Sequence, residues 1–172
     1  MSGVMELRPL APHDVHEAAR AHEELGREGF EFLHGYEPGM DWIDFLDRTE
    51  RLRRGIALSE TQVPATFLVA DVGGQIVGRV SIRHGLNPSL RLVGGHIGYS
   101  VRPGFRRNGF AGKILDLALI EARNLGIYEA LLTCDADNFA SRRVIESHGG
   151  VPEILDGQDT VTKSKLRYWI TT

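Results

Sequence analysis

The most regular pattern of apolar and polar positions lies between Gly95 and Leu125. Residues 96–101, His-Ile-Gly-Tyr-Ser-Val, carry β-branched and aromatic side chains in alternation, which predicts a strand. Pro103-Gly104 ends it. From about Gly109 the period changes. Ala111, Ile114, Leu115, Ala118, Leu119, Ala122 and Leu125 fall at offsets 0, 3, 4, 7, 8, 11 and 14, one face of a long helix. After Gly126, residues 129–134 form a near-continuous apolar run, as in a strand covered on both faces. A strand–helix–strand unit over residues 95–134 predicts a parallel pair within a mixed sheet.

The flanking segments follow the same two periods. Residues 5–10 read as an opening strand, stopped by Pro9 and Pro12. Asp14 is placed to cap a helix whose apolar positions are Val15, Ala18, Ala19, His22 and Leu25. Asp41 is placed to cap a second, with Trp42, Phe45, Leu46, Thr49 and Leu52 on one face and Gly55 at its end. Thr66–Ala70 and Gln75–Ile82 predict a hairpin turned at Asp71-Val72-Gly73-Gly74, with Ile76, Gly78, Val80 and Ile82 opposite Val77, Arg79, Ser81 and Arg83. Residues 83–88 read as a polar loop. A helix over residues 139–148 is closed by Gly149-Gly150, and residues 151–155 and 165–170 read as final strands with a bend near Asp156-Gly157. The predicted order is β α α β β β α β α β β, in one domain spanning residues 1–172.

Composition narrows this picture without redirecting it. The 172 residues suit one domain with a substantial core. A net charge of −3 offers no electrostatic case for a nucleic-acid partner. Cys134 is the single cysteine, so neither an intrachain disulfide nor a cysteine zinc cluster can form. It sits in an apolar run and reads as a small buried residue. No stretch approaches transmembrane length and no leader-like apolar segment opens the chain, so a cytoplasmic location is expected, with no membrane partner.

Chemistry concentrates where the strand passes into the long helix. The first N–H groups of a helix lack internal partners. Gly109, Ala111 and Gly112 leave that backbone unshielded, and Arg106 and Arg107 stand just upstream. These features describe either an anion site at a helix N-terminus or a plain strand-to-helix turn. The segment 30–39, FEFLHGYEPG, crowds Phe30, Phe32, His34 and Tyr36 beside glycines and a proline. It reads either as a loop tucked under the core or as a ligand-facing lid.

The order of elements and four ordered motifs resemble the GNAT superfamily of N-acetyltransferases. Arg106-Arg107-Asn108-Gly109-Phe110-Ala111 fits the family's Arg/Gln-x-x-Gly-x-Gly/Ala signature. Val101-Arg102-Pro103 is similar to the end of its fourth strand, Asn138-x-x-Ser141 follows the fifth, and Gly149-Gly150 stands where Gly-Phe is usual. The resemblance implies an α/β fold with a mixed, mostly antiparallel sheet, a splayed parallel pair and flanking helices. It implies acetyl-CoA as co-substrate and no metal. The pyrophosphate would meet amides of Arg107, Asn108, Gly109, Phe110, Ala111 and Gly112, with Arg106 supporting the loop or meeting phosphate at long range. The pantetheine arm would follow Tyr99, Ser100 and Val101, with Asn138 and Ser141 on its other side. The acceptor would be a primary amine of a small molecule or peptide, acetylated directly in a ternary complex. A homodimer is within the family's habits.

An alkylammonium titrates near ~10 in water, so transfer needs a route for its proton. His96 is the expected base or water-linked base, since several members carry Glu or His on this strand. A strand histidine satisfied by its neighbours is the alternative. The usual thiolate-protonating Tyr, seven residues after Asn138, is replaced by Ile145, and the proton donor stays unassigned. That replacement supports a second reading, a CoA-binding module without catalysis. Acceptor contacts are expected from the variable loops: Tyr36, His34, Glu31, Glu37, Arg83 and His84.

Overall fold

A computed structural model describes residues 3–37, 39–153 and 164–172. In chain order the elements are β1 (Met5–Arg8), α1 (Val15–Gly26), α2 (Trp42–Arg53), β2 (Ala65–Val72), β3 (Gln75–Arg83), α3 (Pro88–Leu92), β4 (Ile97–Val101), α4 (Phe110–Asn124), β5 (Glu129–Asp135), α5 (Phe139–Ser147), β6 (Val151–Pro152) and β7 (Lys165–Thr171). The predicted bend at Asp156-Gly157 and the strand positions past Glu153 lie outside the described residues. Among the described residues, no helix is long and apolar enough to cross a membrane.

Two antiparallel sheets carry the fold, ordered β1-β2-β3-β4 and β5-β7-β6. The architecture is the expected mixed α/β one, with helices against an antiparallel sheet. The parallel pair is not joined by a ladder. β4 and β5 meet only beside an antiparallel bridge, Gly95 to Leu132, where the His96 N–H donates to Leu131 O at 2.7 Å. Gly95 has φ +63, and an added Cβ would lie 2.2 Å from Leu131 O, so only glycine lets the two backbones meet there. Beyond this pinch the strands part and leave a cleft.

The sheet buries side chains on both faces. Ile114, Leu115, Ala118 and Ala122 of α4 pack with Val80, Ile82, Ile97 and Val101. Leu125, predicted for that face, lies past the last helical turn and is 40% exposed. On the opposite face α1, α2 and the segment after α1 gather Ala18, Leu25, Phe32, Leu33, Trp42 and Phe45 with Val69 and Ile76. Burying these side chains supplies the main stabilisation, about 1.5–3 kcal/mol for each large apolar group. The β3 alternation is broken at Val77: Ala70 pairs with Gly78 but Asp71 with Ile76, leaving Val77 as an extra residue. Ile76 therefore joins the α1/α2 side, and the strand is re-aimed so that Arg79 turns to that side too.

Local chemistry explains the helix starts. The Asp41 carboxylate accepts from Ile43 and Asp44 N–H, and Asn138 Oδ1 from Ser141 N–H, as N-caps should. Asp14 does not cap α1. It is buried, accepts the Ala11 N–H, and pairs with Arg8, which also holds Asp71 and so ties β1 to β2. The polar loop predicted over residues 83–88 runs into α3, a five-residue helix capped by Asn87 and too short for a periodicity signal.

Candidate functional site

Two cavities open in the splay between β4 and β5. The larger, about 720 Å³, is walled by Tyr99, Ser100 and Val101 of β4, by the turn into α4, and by Asn138, Ala140, Ser141 and Val144 at the start of α5. The smaller, about 300 Å³, lies between Arg79 and Arg83 of β3, Gly98 of β4, and Thr133, Cys134 and Asp135 of β5. Phe30, Tyr99, Asn138 and Ser141 line both, so the cavities share a wall.

The turn into α4 presents bare backbone to the larger cavity. Gly109 is the N-cap, with φ +78 and no side chain capping the helix. The amides of Phe110, Ala111 and Gly112 thus keep the positive end of a 15-residue helix open. Arg107 adopts φ +61, a left-handed conformation costing a side-chain-bearing residue about 1 kcal/mol, and it stays exposed at the rim. Arg106 supports the turn: it donates to Val101 O at 3.2 Å and pairs with Glu28 of the α1 end at 2.5 Å. Asn108 donates to Phe105 and Arg106 carbonyls and does not line the cavity. Every other residue in the expected cofactor set lines it.

The shared wall and the adjoining β4 residue of the larger cavity hold unsatisfied polar atoms. Tyr99 Oη and Ser100 Oγ are buried with no hydrogen-bond partner. Burial pushes the Tyr99 phenol up to about 12, with nearby Ser141 pulling the other way. The remaining tyrosines stand elsewhere: Tyr168 donates to Glu146, Tyr128 is exposed, and Tyr36 packs edge-on against Phe45 at 5.2 Å. Ile145 is buried and lines the smaller cavity. Asn138 spends Oδ1 on the α5 cap, and its Nδ2 makes no hydrogen bond among the described residues. These orphaned donors and bare amides fit an extended ligand with an anionic end and amide groups along its arm, as CoA is.

His96 is not brought to either cavity. Its Nδ1 accepts the Leu131 N–H at 2.9 Å, and its ring lies edge-on to Trp169 at 6.4 Å. The turn at Gly94-Gly95 aims it at the β5 backbone. Burial first, then Arg83 and Arg91, lowers its pKa, keeping the ring neutral with Nδ1 available as acceptor. Alternation along the strand was sufficient to choose a face, not to foresee this pinch.

Of the expected acceptor contacts, only Arg83 lines the smaller cavity. His34 pairs with Glu31 at the surface, Glu31 also receives the Gly35 N–H, and His84 binds Thr66 Oγ1. Tyr36 belongs to the aromatic cluster on α2, and Glu37 lines neither cavity. The residues not foreseen there are Arg79, Asp135 and Lys165. Cys134, expected as core, also faces this cavity, with burial pushing its thiol up. The available signal was Arg79 and Arg83 four apart on one strand, hence on one face. Among the described residues no group of three His, Cys, Asp or Glu side chains could hold a metal ion.

Comparison with known proteins agrees with this geometry. The model of the family described as "Acetyltransferase (GNAT) family" matches residues 21–149. No curated protein sequence matches the chain. Similar solved structures include Mycobacterium smegmatis RimJ in complex with CoA-disulfide, with TM-score 0.68, 21% identity, and coverage of 98% of this chain and 82% of that one. The putative acetyltransferase yncA from Salmonella typhimurium, with its cofactor acetyl-CoA, gives TM-score 0.61 and 20% identity, covering 97% and 93%. An acetyltransferase of the same family from Streptococcus pneumoniae gives 0.63 and 20%, covering 96% and 97%. At these identities the structural likeness establishes the fold.

Proposed function

The chain belongs to the GNAT family of acetyltransferases, and from that premise we propose that it moves the acetyl group of acetyl-CoA directly to the primary amine of a small molecule. One observation carries the reading: two cavities meet at a wall of unsatisfied donors, the larger ending on an uncapped helix N-terminus.

Acetyl-CoA supplies the acetyl group as a thioester; a new C–N bond forms, the C–S bond breaks, the amine loses a proton and the sulfur gains one. The protein's part is placement. The amides of Phe110, Ala111 and Gly112 receive the pyrophosphate, assisted by Arg107 at the rim. The backbone of Tyr99, Ser100 and Val101 guides the arm on one side, and Asn138 Nδ2 and Ser141 meet it on the other. The acceptor enters the smaller cavity and reaches the shared wall from the opposite direction. Tyr99 is the proton donor to sulfur, the role Ile145 cannot take: its phenol, held near 12, stays protonated at neutral pH, and the polar group beside it is the Ser141 hydroxyl. His96 serves as a positioning residue for β5. The acceptor's proton leaves through water at the open mouth of the cavity. Cys134 stays a protonated thiol, which disfavours a covalent acetyl-enzyme.

Calorimetric titration with acetyl-CoA and a thiol-release assay over primary amines test the reading. Saturable binding and thiol release with at least one amine are expected. Binding without release from any acceptor would favour a non-catalytic CoA-binding module. No heat at any acetyl-CoA concentration would remove the reading altogether.

A further inference from the structure

The smaller cavity is lined by a buried cation with no matching anion among the described residues. Arg79 is 8% exposed. Its guanidinium stacks on Phe30 at 4.8 Å and on Phe67 at 5.6 Å, which fixes its plane. It donates one hydrogen bond among the described residues, from Nη2 to Glu31 O at 3.2 Å, and Nε has none. No carboxylate among the described residues pairs with it. Arg83 stands on the same face, and its Nη1 donates only to the carbonyls of Gly94 and Gly95. Gly98 lies beneath Arg83: an added Cβ there would lie 3.6 Å from Nη1.

The two guanidinium groups repel. Burial, and then the charge of Arg83, brings Arg79 down to about 10, and the Glu31 charge offsets only part of this. It remains a cation at neutral pH. The other charged groups on the cavity wall are Asp135 and Lys165, which pair with each other at 2.5 Å. The wall therefore presents three cations against one carboxylate, in a chain whose net charge is negative. Burying a cation without a partner is costly, and a compact anion between Arg79 and Arg83 would remove both the desolvation cost and the repulsion.

We propose that Arg79 and Arg83 form an anion clamp in the acceptor cavity, and that the acceptor is a small amine bearing a carboxylate, of amino-acid size. This rests on the reading that the smaller cavity takes the acceptor. The carboxylate lies across the guanidinium edges on β3 and directs the amine toward Tyr99 and Asn138. The cavity volume of about 300 Å³ suits such a molecule and is small for a folded peptide end.

The test separates this proposal from acetyl transfer itself. Acetyl-CoA binding is first established by calorimetry. Matched sets of amino acid, amino-acid amide and decarboxylated amine are then titrated onto the CoA-saturated protein, a readout that needs no turnover. At least one amino acid should bind roughly tenfold to a hundredfold more tightly than its own amide, the range of a charge-assisted hydrogen bond with a buried partner. Arg79→Gln and Arg83→Gln should each bring that ratio close to one, and Arg79→Lys should restore part of it. Acetyl-CoA affinity reports whether each variant is folded; if Arg79→Gln fails this control, Arg83→Gln decides. Amides binding as well as acids throughout, or an acid preference that survives the substitutions, would overturn the clamp. Loss of acetyl-CoA binding in the unsubstituted protein would instead overturn the acetyltransferase reading.

Discussion

Two buried arginines stand on the same side of the main sheet in opposite states. Arg102, just after β4, is 2% exposed at its side chain and saturated. It pairs with Glu17 and Glu24 of α1, donates to Ile76 O at 2.7 Å, and lies over Phe105. Arg79, on β3, has two aromatic faces and one carbonyl. The contrast extends to tyrosines: Tyr168 donates to Glu146, whereas Tyr99 has no partner. Around α1, and where β7 meets α5, the chain satisfies these buried polar groups itself. Along the cavities it leaves them open. The first region holds the fold and the second is available to ligands, so the two should answer substitution differently.

Arg102→Met should have the largest effect on stability. It leaves Glu17 and Glu24 facing a buried methionine and removes the tie between α1 and the β3–β4 pair. Loss of such a cation costs about 3 kcal/mol, discounted here because both glutamates are partly exposed. That corresponds to a fall in Tm of roughly 10 °C for a chain of this size, measured by thermal unfolding. Acid should mimic part of it. Arg102 holds the Glu24 carboxyl below its ordinary value. The contribution is therefore complete above the unfolded pKa and disappears as pH falls through the lower folded value. The variant should lack that component of acid sensitivity.

Tyr99→Phe tests the other side. Only a hydroxyl without a protein partner is removed, so Tm should move by no more than a few degrees. Thiol release should fall about a hundredfold in kcat, the lower range for losing a positioned proton donor, with acetyl-CoA affinity nearly unchanged. A drop in Tm comparable to that of Arg102→Met, with kcat retained, would put Tyr99 among the structural residues.

His96 belongs with the saturated groups. Replacing it with Ala strands the Leu131 N–H at the pinch between β4 and β5, a loss of about 1–2 kcal/mol. Its lowered pKa gives the sign of the pH effect: stability is present above the unfolded value near 6.5 and declines as pH drops toward the folded one, because an imidazolium cannot accept that N–H. His96→Ala should be less stable at neutral pH and lose this acid-sensitive component. The pH dependence of kcat should be unaltered, and a change in the kcat profile would restore His96 as the base.

Much of the wall proposed for the cofactor was readable from the chain because its signals are local. A glycine-rich start, a 3.6-residue period and an asparagine cap need no tertiary information, and α4, Gly109 and Asn138 lie where those signals put them. The cavity proposed for the acceptor was not readable, because it depends on long-range placement. Arg79 alternates with apolar residues and looks like a solvent-facing strand position. It is the Val77 bulge and the segment after α1, with Phe30 over the guanidinium, that enclose it. His96 stands away from both cavities for a similar reason: two glycines with positive φ turn it onto β5. In the 30–39 segment Phe32 and Leu33 are fully buried under the core, while Phe30 at its start lines both cavities.

The smallest effect carries the most pointed contrast. Arg79→Met keeps the length of the stem against Phe30 and Phe67 while removing a charge that nothing in the described chain neutralises. Replacing a buried ionic group with an apolar one of similar volume is often neutral or stabilising, and here no carboxylate is left stranded. Thermal unfolding should show Tm unchanged or raised by a few degrees, about 1 kcal/mol, opposite in sign to Arg102→Met. A small carboxylate should raise the Tm of the unsubstituted protein by mass action and leave Arg79→Met unmoved. If Arg79→Met is instead as damaging as Arg102→Met, the two arginines are alike, and the Phe30 stack is a fastening of the fold rather than a mount for a binding charge.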